Sequence, residues 1–138
     1  MRYIFLSILG ITSILSADFS REAVGIVTDT TTALEWQDNE VGSLTTWTEA
    51  IDRCEALELG GHQDWRLPNI RELLSLVDDT KFVPSISSSF TNIISNNYWS
   101  STTYASNTSY AWVVCFSYGN DYHNAKTNSN YVRCVRDN

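Results

Sequence analysis

The period of apolar and polar positions changes repeatedly along the chain. Val24 to Thr28 and Ala33 to Gln37 alternate as two short strands around the polar turn Asp29-Thr30-Thr31-Thr32, with Trp36 as a core anchor. The period then lengthens. Trp47, Ala50, Ile51, Cys54 and Leu57 recur at helical spacing behind the capping box of Thr46 and Glu49, which predicts a first helix from about Trp47 to Leu59. Its other face carries Glu49, Asp52, Arg53, Glu55 and Glu58 and reads as solvated.

The stretch Gly60 to Leu73 organises the rest. Gly60 and Gly61 can take the left-handed conformation that ends a helix, and Pro68 pushes Leu67 towards extended geometry. Asn69 with Glu72 is a second capping box, so a second helix is expected from about Ile70 to Val77, closed by Asp78 and Asp79. Between the helices, Asp64, Trp65, Arg66 and Pro68 form a structural hinge. Alternation buries Trp65 and Leu67 and turns Arg66 towards a carboxylate, Glu72 or Asp64.

Lys81 to Asn97 is rich in Ser and carries Pro84, with Ile86, Phe90, Ile93 and Ile94 as scattered anchors, as in an ordered irregular connection. Tyr98 to Thr102, Tyr110 to Tyr118 and Tyr131 to Arg136 read as strands. In the middle one Trp112, Val114 and Phe116 oppose Ala111, Val113 and Cys115, so both faces are apolar and the strand is central. Gly119 to Asn130 has no apolar anchor and reads as a polar loop.

That loop supplies the candidate ligand-binding residues: Asn120, Asp121, Tyr122, His123, Asn124, Asn128 and Asn130. Rigid amphipathic rings beside adaptable hydrogen-bonding groups suit recognition. As a loop, Asn120 to Asn130 is expected to be replaceable by a short Gly/Ser turn without loss of the fold.

Charge and cysteines narrow the setting. The 138 residues carry a formal net charge of −7, enough apolar content for one core, and a start at Met1-Arg2 followed by an apolar run to Leu15 and Ser16-Ala17. Residues 1–17 read as a signal peptide and 18–138 as a single domain, with no membrane insertion once the signal is removed. The acidic balance argues against nucleic acid and anionic membrane as partners. No charged residue lies between Phe82 and Asn120.

Export permits disulfides, and the cysteines are Cys54, Cys115 and Cys134. Cys115 falls in an alternating apolar strand as a small hydrophobe, which leaves Cys54 to bond Cys134. No Cys/His spacing builds a nucleophilic site, and the oxygen ligands of the polar loop match no calcium spacing. No catalytic residue, metal ligand or cofactor is assigned.

Several of these pieces occur together elsewhere. Asp29 with Leu34-Glu35-Trp36-Gln37, Trp47 through Ala50 and Cys54, Gly61 with Asp64 to Asn69, Glu72-Leu73, Tyr98-Trp99-Ser100-Ser101, Ala111-Trp112 and Val132 to Arg136 span nearly all of residues 18–138. In them the chain resembles the C-terminal domain of the Legionella collagen-like adhesin, a family of bacterial exported domains. The resemblance implies an α+β, C-type lectin-like fold, two helices packed on twisted antiparallel strands with one disulfide from the first helix to the last strand. It is similar also to formylglycine-generating enzymes, which need a pair of active-site cysteines that a Cys54–Cys134 bond would remove. The Glu-Pro-Asn, Gln-Pro-Asp and Trp-Asn-Asp motifs of calcium-dependent lectins are missing. The function implied is a non-catalytic adhesion module, secreted, periplasmic or on the cell surface, binding a surface glycan or protein and forming homotrimers. A passive envelope subunit is the remaining alternative.

Overall fold

The computed structural model describes residues 18–138, and the predicted signal peptide lies outside the described residues. Two antiparallel sheets carry the architecture. The first contains β1 (Phe19–Ala23), β2 (Ile26–Asp29), β3 (Leu34–Gln37) and β7 (Val135–Asp137) in the order β1-β2-β3-β7, so both ends of the described chain meet in one sheet. The second contains β4 (Asn97–Thr103), β5 (Tyr110–Cys115) and β6 (Asn120–Ala125) in that order. Helix α1 (Trp47–Glu55) packs on β4, and α2 (Ile70–Leu74) packs on β4 and β5.

Adjacent residues of four segments divide between two core clusters. Val27, Tyr98, Val114 and Val135 enter one, with Trp36, Leu73, Leu76 and Phe116. Ile26, Trp99, Val113 and Cys134 enter the other, with Ala50, Cys54, Trp65 and Leu67. Successive strand side chains point to opposite faces, so these segments lie between two layers of apolar contact and must be apolar on both. Cys54 and Cys134, both fully buried, are bonded with their Cα atoms 5.4 Å apart across a sequence separation of 80. In the chain-entropy model such a closure stabilises by about 4 kcal/mol.

Both capping boxes form. The Glu49 carboxylate accepts from Thr46 N–H at 2.8 Å, and Asn69 and Glu72 bond reciprocally at 2.8 and 2.9 Å. Both helices are nevertheless shorter than predicted. Helix α1 ends at Glu55, not Leu59, because Leu57 tightens onto Cys54 O at 3.2 Å and Leu59 instead exchanges two 3.1 Å hydrogen bonds with His62. Gly60 and Gly61, at φ 64° and 77°, therefore do not end the helix; they form the two-residue turn inside that bridge. A Cβ on Gly60 would stand 2.4 Å from Ile26 Cδ1, so another residue there would have to push that side chain aside while holding a strained left-handed backbone. Helix α2 stops at Leu74, since the Ser75 hydroxyl donates to Glu72 O at 2.6 Å and Leu76 and Val77 turn back on carbonyls three residues earlier.

One strand was not foreseen, and two further expectations change. Phe19–Ala23 is a strand without apolar alternation, held at the sheet edge by backbone pairing and by Phe19 against Phe90, ring centroids 5.5 Å apart. The last strand starts at Val135, not Tyr131, because Val132, Arg133 and Cys134 are all buried and the segment cannot alternate there. Most consequentially, Asn120–Ala125 is a strand, paired residue by residue with the whole of β5, which itself ends at Cys115 and not Tyr118. Its apolar anchor is Tyr122, packed against the second cluster. Replacing Asn120 to Asn130 by a Gly/Ser turn would strip the central strand of a neighbour, which corrects the expectation that the fold survives it.

Candidate functional site

Strand geometry sorts the residues predicted to bind ligand. Side chains alternate along β6, so Asp121 and His123 share the face of Val114 and Trp112, whereas Asn120, Tyr122 and Asn124 share the face of Cys115, Val113 and Ala111. One continuous surface of all seven residues does not exist. On the second face the chemistry is mostly structural. Asn128 donates to Asn124 Oδ1 at 2.6 Å, Asn124 donates to Asn130 Oδ1 at 3.4 Å, and the buried Asn130 exchanges two backbone hydrogen bonds with Thr45, each 3.0 Å. These amides pin the turn after β6 to the loop before α1. Burial, with the nearby Cys115 adding to it, pushes the Tyr122 phenol above its ordinary range.

The face of Asp121 and His123 is different. His123 stacks on Tyr104 with centroids 4.1 Å apart and rings 17° from parallel. Trp112 meets Tyr104 edge-on at 5.3 Å, and Tyr110 meets His123 edge-on at 5.5 Å. All four rings reach solvent at least in part. Asp121, one pleat along from His123, is exposed, and its carboxylate has no side-chain partner among the described residues.

A local irregularity in β4 builds this face. The register between β4 and β5 shifts between Trp99 and Thr103, where the Ser100 hydroxyl donates to Trp112 O at 2.7 Å in place of a ladder bond. The displaced residues bond outward, Ser101 N–H to Pro68 O at 2.8 Å and the Thr102 hydroxyl accepting from Ile70 N–H at 2.9 Å. Beyond the shift, Tyr104 and Tyr110 close on each other through a 2.9 Å backbone bond, and the turn at Asn107 leaves Tyr104 against Trp112 and Tyr110 against His123. Sequence reading assigned Trp112 to the core and passed over Tyr104 and Tyr110. Two tyrosines flanking a polar turn were the available signal; the pairing of β6 with β5, which supplies His123, was not.

The hinge residues serve the fold. Trp65 is buried and donates its Nε1–H to Leu59 O at 3.2 Å, and Arg66 exchanges backbone bonds of 2.8 and 2.9 Å with Val135. The Arg66 guanidinium grips Glu72 with two 2.7 Å bonds and reaches Asp137 at 2.9 Å. The Glu72 partnership was expected. Asp64 instead pairs with Arg136 at 2.7 Å, and Arg136 also pairs with Glu35. Burial works against the Glu72 charge, but Arg66 and the Asn69 N–H more than offset it and hold the carboxyl below its ordinary range.

A buried ion pair passed unnoticed in sequence. Asp38 and Arg133, with side chains 0% and 2% exposed, meet at 2.9 Å. Asp38 also accepts from Thr91 N–H at 2.9 Å, Asn92 N–H at 3.1 Å and the Arg21 guanidinium, while Arg133 donates to the carbonyls of Gln37 and Asn92. Burial lowers the Arg133 pKa to about 10. Cys115 is half-buried, not fully so, and is the free thiol among the described residues.

Two depressions of the surface lie away from the ring cluster. An open dish of about 520 Å³ lies along Ser43, Thr45, Glu49 and Arg53, and another of about 300 Å³ beside Phe19, Leu76 and Asp78. In the first, Glu49 is occupied with its helix cap and Arg53 with Ser43. Among the described residues no three His, Cys, Asp or Glu side chains gather to hold a metal ion. No helix of the described residues is long and apolar enough to cross a membrane. The model of the Lcl C-terminal domain family matches residues 25–136. No curated protein matches the chain.

Proposed function

The chain belongs to the Lcl C-terminal domain family, and from that premise we propose that it is an exported, non-catalytic binding module. Its two sheets, two short helices and α1-to-C-terminus disulfide read as a C-type lectin-like arrangement. The observation that carries the binding role is the face of β5 and β6, where Tyr104, Tyr110, Trp112 and His123 gather beside the unpaired Asp121. Exposed aromatic and hydrogen-bonding groups on a rigid sheet recognise a ligand at small entropic cost. The ligand is a glycan or a protein of a cell surface.

Two observations support the setting. A buried disulfide suits an oxidising compartment, in the periplasm or outside the cell. Its formation also commits two of the three cysteines, leaving no pair for formylglycine-generating chemistry. Thiol titration of the unfolded, unreduced protein should find one free thiol per chain. Three would reopen the enzyme reading.

The binding reading is tested by screening the oxidised protein against a glycan array and a panel of surface proteins, with and without calcium. A selective hit is the expected result, and for a glycan it should persist in chelator. No hit on either panel would move the protein to a passive envelope role.

A further inference from the structure

Resting on the binding-module reading, we propose that the cluster of Tyr104, Tyr110, Trp112 and His123, with Asp121 at its edge, takes a neutral saccharide, the C–H face of a pyranose on the rings and its hydroxyls on the carboxylate. The ring geometry comes first. Each ring is fixed by another, Tyr104 flat on His123 at 4.1 Å and Trp112 and Tyr110 edge-on at 5.3 and 5.5 Å, so the surface is set before a ligand arrives. Partly exposed aromatic faces carry negative quadrupole charge, which attracts the weakly positive C–H groups of a sugar face.

The chemistry beside the rings complements this. Asp121 is exposed, lies on the same side of β6 as His123, and spends its carboxylate on no described side chain. An ionised carboxylate accepts several hydrogen bonds, and adjacent hydroxyls of a sugar are suitable donors. The tyrosine hydroxyls and the imidazole add donors and acceptors around the rim.

Charge excludes the nearest competitors. No lysine or arginine occurs from Phe82 to Asn120, and the closest ammonium in sequence, Lys126, is engaged by the Thr103 hydroxyl at 2.9 Å and the Trp47 ring at 3.9 Å. A sulfated or uronic chain would meet Asp121 and a net charge of −7, and among the described residues no lysine or arginine is stacked on any of the four rings. A quaternary ammonium needs rings held apart as a cage. Here the rings contact one another, and the space between them is taken.

The test is titration of the oxidised chain with cellobiose, maltose, lactose and N,N′-diacetylchitobiose, monitored by tryptophan fluorescence and by the NMR signals of the His123 and Tyr104 rings. A heparin tetrasaccharide and choline serve as charged controls. At least one neutral disaccharide should bind at millimolar concentration and shift those ring signals. Tyr104→Ala and Trp112→Ala should each weaken it about tenfold, and Asp121→Asn several-fold. Near-UV circular dichroism of each variant shows whether the domain remains folded; Asp121→Asn, on an exposed side chain, keeps the inference testable if a ring variant does not. Sugar binding that leaves the His123 signal unmoved and survives Asp121→Asn overturns the inference while the binding-module reading stands. So does heparin or choline binding at the rings, or a protein ligand with no sugar bound. Failure of every sugar together with an empty protein panel overturns both.

Discussion

Where β7 meets β3 and the Asp64–Pro68 segment, charged groups are matched one against another: Arg66 with Glu72 and Asp137, Arg136 with Asp64 and Glu35, and, beneath them, Arg133 with Asp38. On the Trp112 face of β5 and β6 there is one carboxylate, Asp121, and the neighbours are rings. The first region locks distant parts of the chain. Asp38 and Arg133 join residues 95 apart, and Arg136 reaches Asp64 across 72. The second joins only strands already paired. Arg66, Arg133 and Arg136 are thus spent on assembly, whereas the Trp112 face carries rings and one unpartnered carboxylate. The acidic net charge of the chain is therefore a poor guide to this face, where one carboxylate stands among rings.

The comparison breaks first, and by the largest margin, if the buried pair proves dispensable. Asp38→Ala would leave the 2%-exposed Arg133 guanidinium without its carboxylate, and Arg21, Thr91 and Asn92 without theirs. Removing one partner of a buried pair costs more than the pair itself contributes, because the remaining charge is desolvated and uncompensated. A loss of about 3–5 kcal/mol in unfolding free energy is expected from urea denaturation. A loss under about 1 kcal/mol would mean that the junction does not hold the chain ends together.

A smaller effect should appear on lowering the pH. The Glu72 carboxyl lies below its ordinary 4.5 in the folded protein, so its contribution is present above that value and is lost as pH falls through the folded pKa. Stability should be flat near neutrality, decline below about pH 4.5, and decline less in Glu72→Gln. The variant should cost about 1 kcal/mol at pH 7, since the Arg66 side chain is 39% exposed and solvent screens the pair. Equal acid slopes for variant and wild type would remove Glu72 from the junction.

Much of the scaffold was legible because local chemistry and tertiary structure agree there. Thr46 with Glu49 and Asn69 with Glu72 mark both helix starts, and the two-sided apolar run of β5 marks the central strand. The Cys54–Cys134 bond followed from Cys115 lying in that run. Helix ends were less legible, since Leu57, Leu76 and Val77 keep helical spacing while their backbone turns back three residues. The candidate site was the least legible part. Asn-Asp-Tyr-His-Asn has the composition of a loop, and only pairing with β5 makes it a strand; intrinsic propensity yields to such context readily. Asp38 was equally hidden, because a buried carboxylate is recognised by its partners, and those lie at positions 21, 91, 92 and 133.

The finest test lies within β6 itself. If Asn120–Ala125 is a strand, neighbouring positions must respond oppositely, because Tyr122 turns towards the cluster of Ala111 and Val113 while Asp121 and His123 face solvent. Tyr122→Ala should then destabilise by about 1–2 kcal/mol through lost apolar contact. Asp121→Asn and His123→Ala should each stay within about 0.5 kcal/mol of wild type, as exposed substitutions do. A loop would give no such alternation: all three changes would be small. A site whose residues were merely structural would give the reverse pattern, with His123→Ala costly through its stacking on Tyr104 and ligand binding unchanged. Measured together, unfolding free energy and affinity should separate along the strand, with position 122 moving the first and positions 121 and 123 the second.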